Sequence, residues 1–270
     1  MSTRSRLLFA AVLVAALATA ALWWSSRTLA PAPTAARVAA APAQAPVDEP
    51  APSILHPITP SAAEPPLAAS GIGAALTALM GQPAMANFLQ VEDFPRRFVA
   101  TVDNLGRAHA PPLLWPVLPT PGRFTVEEPA GGGSFIAADN SLRYAPLVAL
   151  ADSVSPARAV GLYIHMYPLL QQAYEELGYP KRYFNDRLIA VIDLLLATPE
   201  PAGPVPVRLT EVKGPIAPVR PWVRYEFADP ALESLSSGQK IMLRVGPAHE
   251  RRLKAKLAAF RQELLRTPTP

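Results

Sequence analysis

Two carboxylates and three phenols are the side chains whose spacing first suggests chemistry. Asp186 and Asp193 lie seven residues apart in a very apolar stretch. On a helix that spacing places both on one face, about 10 Å apart. Burial raises a carboxyl pKa and suits the group to acid–base work, so a hydrolytic pair is one reading. Two acids on one helix also commonly face solvent or an arginine. Tyr163, Tyr167 and Tyr174 recur at i, i+4 and i+11 along a single helical stripe. Flat phenols with a polar tip can stack on the sugar rings of a cell-wall polymer. They can equally form the rim of a core, ring inside and hydroxyl outside. These residues, with Arg187 directly after Asp186, make up the candidate ligand or partner surface.

Other chemistry finds little support. Cysteine is absent, which excludes a disulfide framework, a thiolate metal site and a cysteine nucleophile. The four histidines are scattered at 56, 109, 165 and 249, and His165 reads as a packed helix residue. Gly71-Ile72-Gly73 lacks the third glycine of a dinucleotide fingerprint and follows no strand. Gly131 to Ser134 has the wrong spacing for a nucleophile elbow. No catalytic residue, cofactor or metal is therefore expected. The last helix is basic, with Arg251, Arg252, Lys254, Lys256, Arg261 and Arg266. The net charge is only +4, so no strong field steers a polyanion and no nucleic-acid partner is expected. The reading for that basic face is solvation, with contact to anionic lipid as the rival.

Composition sets the frame that must position these residues. Half of the residues are hydrophobic and 17% are charged, too apolar for a disordered chain and too charged for a polytopic membrane protein. There are 33 prolines in 270 residues, more than twice the usual share of about 5%. Leu7 to Trp24 is an 18-residue apolar run broken only by Thr19. At the helical rise it reaches about 27 Å, close to the thickness of a bilayer core. Arg4 and Arg6 precede it, and Trp23 and Trp24 close it where amphipathic rings favour the interface. The expectation is a cytoplasmic tail at 1–6 and an uncleaved inner-membrane anchor at 7–24, with everything beyond it in the periplasm. A cleaved signal peptide is the alternative.

Residues 25–66 follow as a Pro/Ala-rich linker. Ten prolines between Pro31 and Pro66 remove donors and disfavour helix. The stretch reads as an extended spacer, reaching roughly 110 Å at most. Residues 67–266 are long enough for one core, and 267–270 form a tail. The fold class expected is mainly α: a single helical domain with one or two short β-hairpins. Ser70 and Asp93 are placed as helix caps, Asp93 for a helix from Phe94 to Leu105. Leu162, Met166, Leu169, Ala173 and Leu177 make the core face of a long helix from Pro156 to Leu177, with a kink at Pro168. A helix over about 183–197 buries Phe184, Leu188, Ile192 and Leu195. Phe124 to Val126 and Ser134 to Ile136 flank a glycine turn as a hairpin. Val205, Val207 and Leu209 read as an edge strand, paired with Val223, Tyr225 and Phe227. Leu253, Leu257, Phe260 and Leu264 form the apolar stripe of the last helix.

Several runs resemble a bacterial domain family of unknown function, DUF3014. They are Arg97-Phe98-Val99-Ala100-Thr101-Val102-Asp103-Asn104-Leu105, Arg143-Tyr144-Ala145-Pro146-Leu147-Val148, Glu176-Leu177-Gly178-Tyr179-Pro180, and Tyr183-Phe184-Asn185-Asp186-Arg187-Leu188. Tyr225-Glu226-Phe227-Ala228-Asp229-Pro230, Ser237-Gly238-Gln239-Lys240 and Arg244-Val245-Gly246-Pro247 complete the set. Together they spread over most of residues 67–262. The resemblance implies a one-pass anchored architecture and brings no activity, cofactor or catalytic residue. The functional expectation is a non-enzymatic envelope module that binds or scaffolds a protein partner. The alternative is a peptidoglycan-binding or hydrolase-like protein using Asp186 or Asp193 and the tyrosine stripe.

Overall fold

The computed structural model describes residues 53–58, 66–211 and 219–266. The predicted tail 1–6, anchor 7–24, most of linker 25–66 and the tail 267–270 lie outside the described residues. Among those described, no single helix is long and apolar enough to cross a membrane.

Nine α-helices and four strands follow in chain order among the described residues: α1 Ile72–Met80, α2 Gln82–Phe88, α3 Phe94–Leu105, β1 Val126–Glu127, β2 Ser134–Ile136, α4 Ala145–Ser153, α5 Pro156–Glu176, α6 Phe184–Leu196, β3 Pro206–Leu209, β4 Tyr225–Phe227, α7 Pro230–Glu233, α8 Ser237–Arg244 and α9 Pro247–Arg266. The fold is mainly helical, as its apolar periodicities require. Helices α3 and α9 each pack on both α5 and α6. Phe184, Leu170 and Val99 sit at the centre of this bundle with no exposed surface.

The two expected hairpins form and then join. β1 pairs with β2 and β3 with β4, and β2 also pairs with β3, so one antiparallel sheet runs β1-β2-β3-β4. β3 is thus an inner strand, where the sequence suggested an edge. Pro206 is tolerated because it opens the strand, where a missing donor costs least, and its carbonyl still accepts from Ala228 N at 3.0 Å. A second small core of Val207, Phe227 and Leu243 lies between the sheet and α8.

The long helix α5 runs unbroken through Pro168. Its buried face differs from the expected one. Val160, Tyr163, Met166, Tyr167, Leu170, Ala173 and Tyr174 point inward, while Leu162 and Leu169 are half-buried and Leu177 is 40% exposed. Met166 and Ala173 of the expected face are buried, but the face is turned toward Tyr163, Tyr167 and Leu170, because the tyrosines bury their rings and the hydroxyls of Tyr163 and Tyr167 find internal partners. The α6 face is as expected, with Phe184, Leu188, Ile192 and Leu195 all buried.

Caps also differ. Neither Ser70 nor Asp93 caps with its side chain: α1 continues from a 3-10 turn at Ala69–Gly71, and Asp93 adopts a left-handed φ of 53°. The sharpest cap belongs to α8, where Ser236 and Gln239 form a reciprocal capping box. That Ser-x-x-Gln signal stands in the sequence. Gly238 in the same turn lies against α6 and the end of α3. A Cβ there would sit 2.6 Å from Leu195 Cδ2 and 2.9 Å from the Leu105 carbonyl oxygen.

Candidate functional site

Each predicted site residue has a definite structural partner. Tyr163, Tyr167 and Tyr174 are at most 4% exposed. Their rings pack on one another and on Tyr183, Tyr179 and Phe184 at centroid distances of 4.5–5.7 Å. Tyr163 donates to Asn185 Oδ1 at 3.0 Å and Tyr167 to Gln171 Oε1 at 3.1 Å. Burial raises the pKa of all three phenols. In this arrangement the stripe lies within the core, with no open ring face for a sugar.

The two carboxylates serve different neighbours and do not converge. Asp193 is solvent-facing and takes a two-pronged contact from Arg261 of α9, at 2.6 and 3.1 Å. Asp186 instead accepts two backbone amides from the linker, Leu55 N at 3.1 Å and His56 N at 2.8 Å. Arg187 turns inward. Its Nε donates to Asp103 Oδ1 at 3.0 Å and its Nη2 to the Asp103 carbonyl at 2.7 Å. Asp103 also pairs with Arg107 at 2.7 Å and accepts from Tyr179 Oη, so it ties α3 to α6.

The basic face of α9 is largely engaged with the body of the domain. Arg252 pairs with Asp152, Lys254 with Glu200 and Glu250, and Lys256 donates to the carbonyls of Asp152 and Val154. These contacts seat the helix where its apolar stripe meets the core.

A cleft of about 550 Å³ opens elsewhere, between the loop after α3, the sheet and α8. Arg143, Lys240, Arg244 and the exposed His109 line it, and no acidic residue does. Arg143 is held by neutral acceptors only: the Pro121 carbonyl at 3.1 Å, Asn140 Oδ1 and Thr120 Oγ1. Arg244 donates to the Tyr225 carbonyl and lies 4.7 Å over the Phe227 ring. Among the described residues neither guanidinium has a carboxylate within ion-pair distance. Burial lowers the Arg244 pKa, while the charge of Glu233 acts to raise it. The wall also carries five aromatic rings, of Trp115, Phe124, Tyr144, Trp222 and Tyr225, among smaller residues. Trp115 Nε1 is buried without an acceptor.

Behind the cleft, Glu233 fixes Lys240. Its Oε1 accepts from Lys240 Nζ at 2.9 Å and its Oε2 from Phe227 N at 2.9 Å. Burial alone would raise the Glu233 pKa; the bonds from Lys240 and the Phe227 amide, with the charges of Lys240 and Arg244, outweigh it and hold the group below the usual carboxylate range. The unfolded chain therefore binds this proton more readily. The stabilisation is complete above the unfolded pKa of about 4.3 and is lost as pH falls through the folded value. Glu233→Gln should flatten the acid limb of a melting-temperature profile below pH about 5, with the loss concentrated at neutral pH. Parallel profiles for the two proteins would contradict this.

A protein-family model described as a protein of unknown function (DUF3014) matches residues 94–261. The chain belongs to that family. Neither a curated protein nor a solved structure matches it. The DUF3014 match runs from the start of α3 into α9 and takes in every wall of the cleft, together with Asp103, Asn185, Asp186 and Arg187. The cleft residues were not legible as a site, because they come from separate stretches of the chain that stand at no motif spacing. Only the runs carrying the resemblance pointed at them: Arg143, Tyr144, Tyr225, Ser237, Lys240 and Arg244 all come from such runs and meet here.

Proposed function

We propose that this DUF3014 protein is a single-pass, inner-membrane-anchored periplasmic module that binds, without catalysis, a carboxylate-rich segment of an envelope protein. The anchor rests on the apolar run Leu7 to Trp24 and its basic flank, and the location on the charge asymmetry around it. One observation carries the binding reading: a cleft with two guanidiniums lacking carboxylate partners, one lysine and no acidic lining. Arginine forks recognise carboxylates with two bonds in fixed geometry, and flat aromatic walls accept the apolar parts of the same segment. Peptidoglycan is the second reading, because its peptide stems place carboxylates beside sugar rings and the cleft offers both surfaces.

Trp115 and Trp222 line the cleft, so intrinsic fluorescence reports its occupancy. Titrating the detergent-solubilised full chain with short oligoglutamate should give a saturable change. Oligolysine should give none. Arg143→Glu should weaken the oligoglutamate response at least ~30-fold, since truncating a charge-assisted contact costs about 2 kcal/mol or more. Binding of soluble peptidoglycan fragments without oligoglutamate binding would replace the leading reading by the second. Reporter fusions after the anchor test the location: phosphatase activity is expected at the C-terminus, and β-galactosidase activity there would overturn the topology.

A further inference from the structure

The sequence reads residues 25–66 as spacer, yet part of that stretch is bound. The segment Ser53 to Ile58 lies on the N-terminal end of α6 and is held almost entirely through its backbone. Asp186 accepts from the successive amides of Leu55 and His56, one to each carboxylate oxygen. Successive amides alternate sides in an extended chain; here the backbone bends at Leu55–His56, which lets both reach one carboxylate. Asn185 Nδ2 donates to the His56 carbonyl at 2.8 Å. Tyr183 Oη accepts from Ile58 N at 2.7 Å and lies 3.3 Å from the Ile58 carbonyl.

The residues of α6 that do this are themselves held in place. Asn185 is 2% exposed with the segment bound, and its Oδ1 is taken by Tyr163. That bond fixes which way the amide faces, with Nδ2 toward the segment, and without the segment the donor loses its His56 partner. Tyr183 is packed against Tyr167 at 5.3 Å. The side chains of the segment contribute unequally. Ile54 and Leu55 are 55% and 69% exposed, whereas Ile58 packs against the main core.

We infer that Tyr183, Asn185 and Asp186 form a peptide-recognition site that reads the backbone of a bent segment with one apolar anchor, and that residues 53–58 of the same chain are its resident ligand. The site demands an apolar residue at position 58 and tolerates change at 54 and 55. It also shortens the free linker. Between residues 53 and 66 an extended chain spans roughly 40 Å at 3.1 Å per residue, and release of the segment adds that reach.

Amide hydrogen exchange on the full chain in detergent tests the bound state. The amides of Leu55, His56 and Ile58 should exchange at least ~30-fold more slowly than an unprotected peptide. Asp186→Ala should return Leu55 and His56 to the unprotected rate, with protection in α5 and α9 unchanged as the folding control. A second measurement tests recognition in trans. In a full chain carrying Ile58→Asp, a labelled synthetic peptide of residues 51–60 should bind, because the covalent competitor is weakened. The wild-type chain should bind it at least ~10-fold less tightly, its own segment acting at high effective concentration. A peptide altered at 54 and 55 should bind equally, and one with aspartate for Ile58 should not. Unprotected amides in the wild type, protection that survives Asp186→Ala, or no peptide binding to the Ile58→Asp chain would each overturn the inference. None of these results depends on occupancy of the cationic cleft.

Discussion

Phe184→Ala should destabilise the domain by about 3–5 kcal/mol, among the largest losses that a single apolar truncation can cause here. Phe184 has no exposed surface. Its ring lies at 6.2 Å from that of Phe98 on α3 and 5.4 Å from that of Tyr174 on α5, so it joins three helices. Truncation removes the transfer free energy of the ring and leaves a cavity whose walls come from separate elements, which collapse poorly. Chemical denaturation followed by far-ultraviolet circular dichroism measures the loss as a shift in midpoint at constant slope. Leu169→Ala supplies the contrast. Leucine periodicity places that residue in the core, yet it is only half-buried, so its loss should fall well below that of Phe184. Equal losses at the two positions would contradict the packing described for α5 and α6.

Asp103→Ala should cost about 3–5 kcal/mol by a different mechanism, the stranding of a paired charge. Asp103 is 5% exposed. Its carboxylate holds Arg187 and Arg107 and accepts from Tyr179. Removing it leaves the Arg187 guanidinium, with side-chain exposure of 28%, beside the Asp103 backbone carbonyl and no counter-charge. The space around that guanidinium is tight: a Cβ at Gly106 would lie 2.8 Å from Arg187 Nη2. Replacing both partners by apolar groups of similar size is often close to neutral. Asp103→Ala combined with Arg187→Met should therefore recover at least half of the single-variant loss. An additive double variant would show that Asp103 acts through its packing and not through the charge it neutralises.

The two residues illustrate how far the linear chain carries the reading. Phe184 was legible. It starts a helix whose apolar positions recur at 184, 188, 192 and 195, and a helix with that pattern must bury that face whatever it meets. The mainly helical class, the α3 and α6 boundaries and the first hairpin follow from equally local causes: apolar period, proline at the first turn, glycine between two alternating runs. Asp103 was legible only as part of a run carrying the family resemblance, because its partner Arg187 is 84 residues away and the pairing exists only once α3 lies on α6.

The same division separates the candidate site residues. Periodicity placed Tyr163, Tyr167 and Tyr174 on one face of a helix. It could not say which way that face turned, since a phenol suits both a core and a surface; Tyr167 bonds to Gln171 one turn along α5, but the partner of Tyr163, Asn185, arrives only when α6 packs beside α5. Asp186 and Asp193 share a helix but not a partner, because α9 reaches one and the linker segment the other. The proline-rich composition around residues 53–58 identified a stretch unable to build its own secondary structure. Binding to α6 needs none, since Tyr183, Asn185 and Asp186 meet the backbone groups that a helix or strand would have paired. The amino-acid sequence by itself determined the helical class, most element positions and the family. Tertiary structure alone decided which charges are neutralised, which phenols are buried and where guanidiniums gather without carboxylates, because each depends on elements brought together from distant parts of the chain.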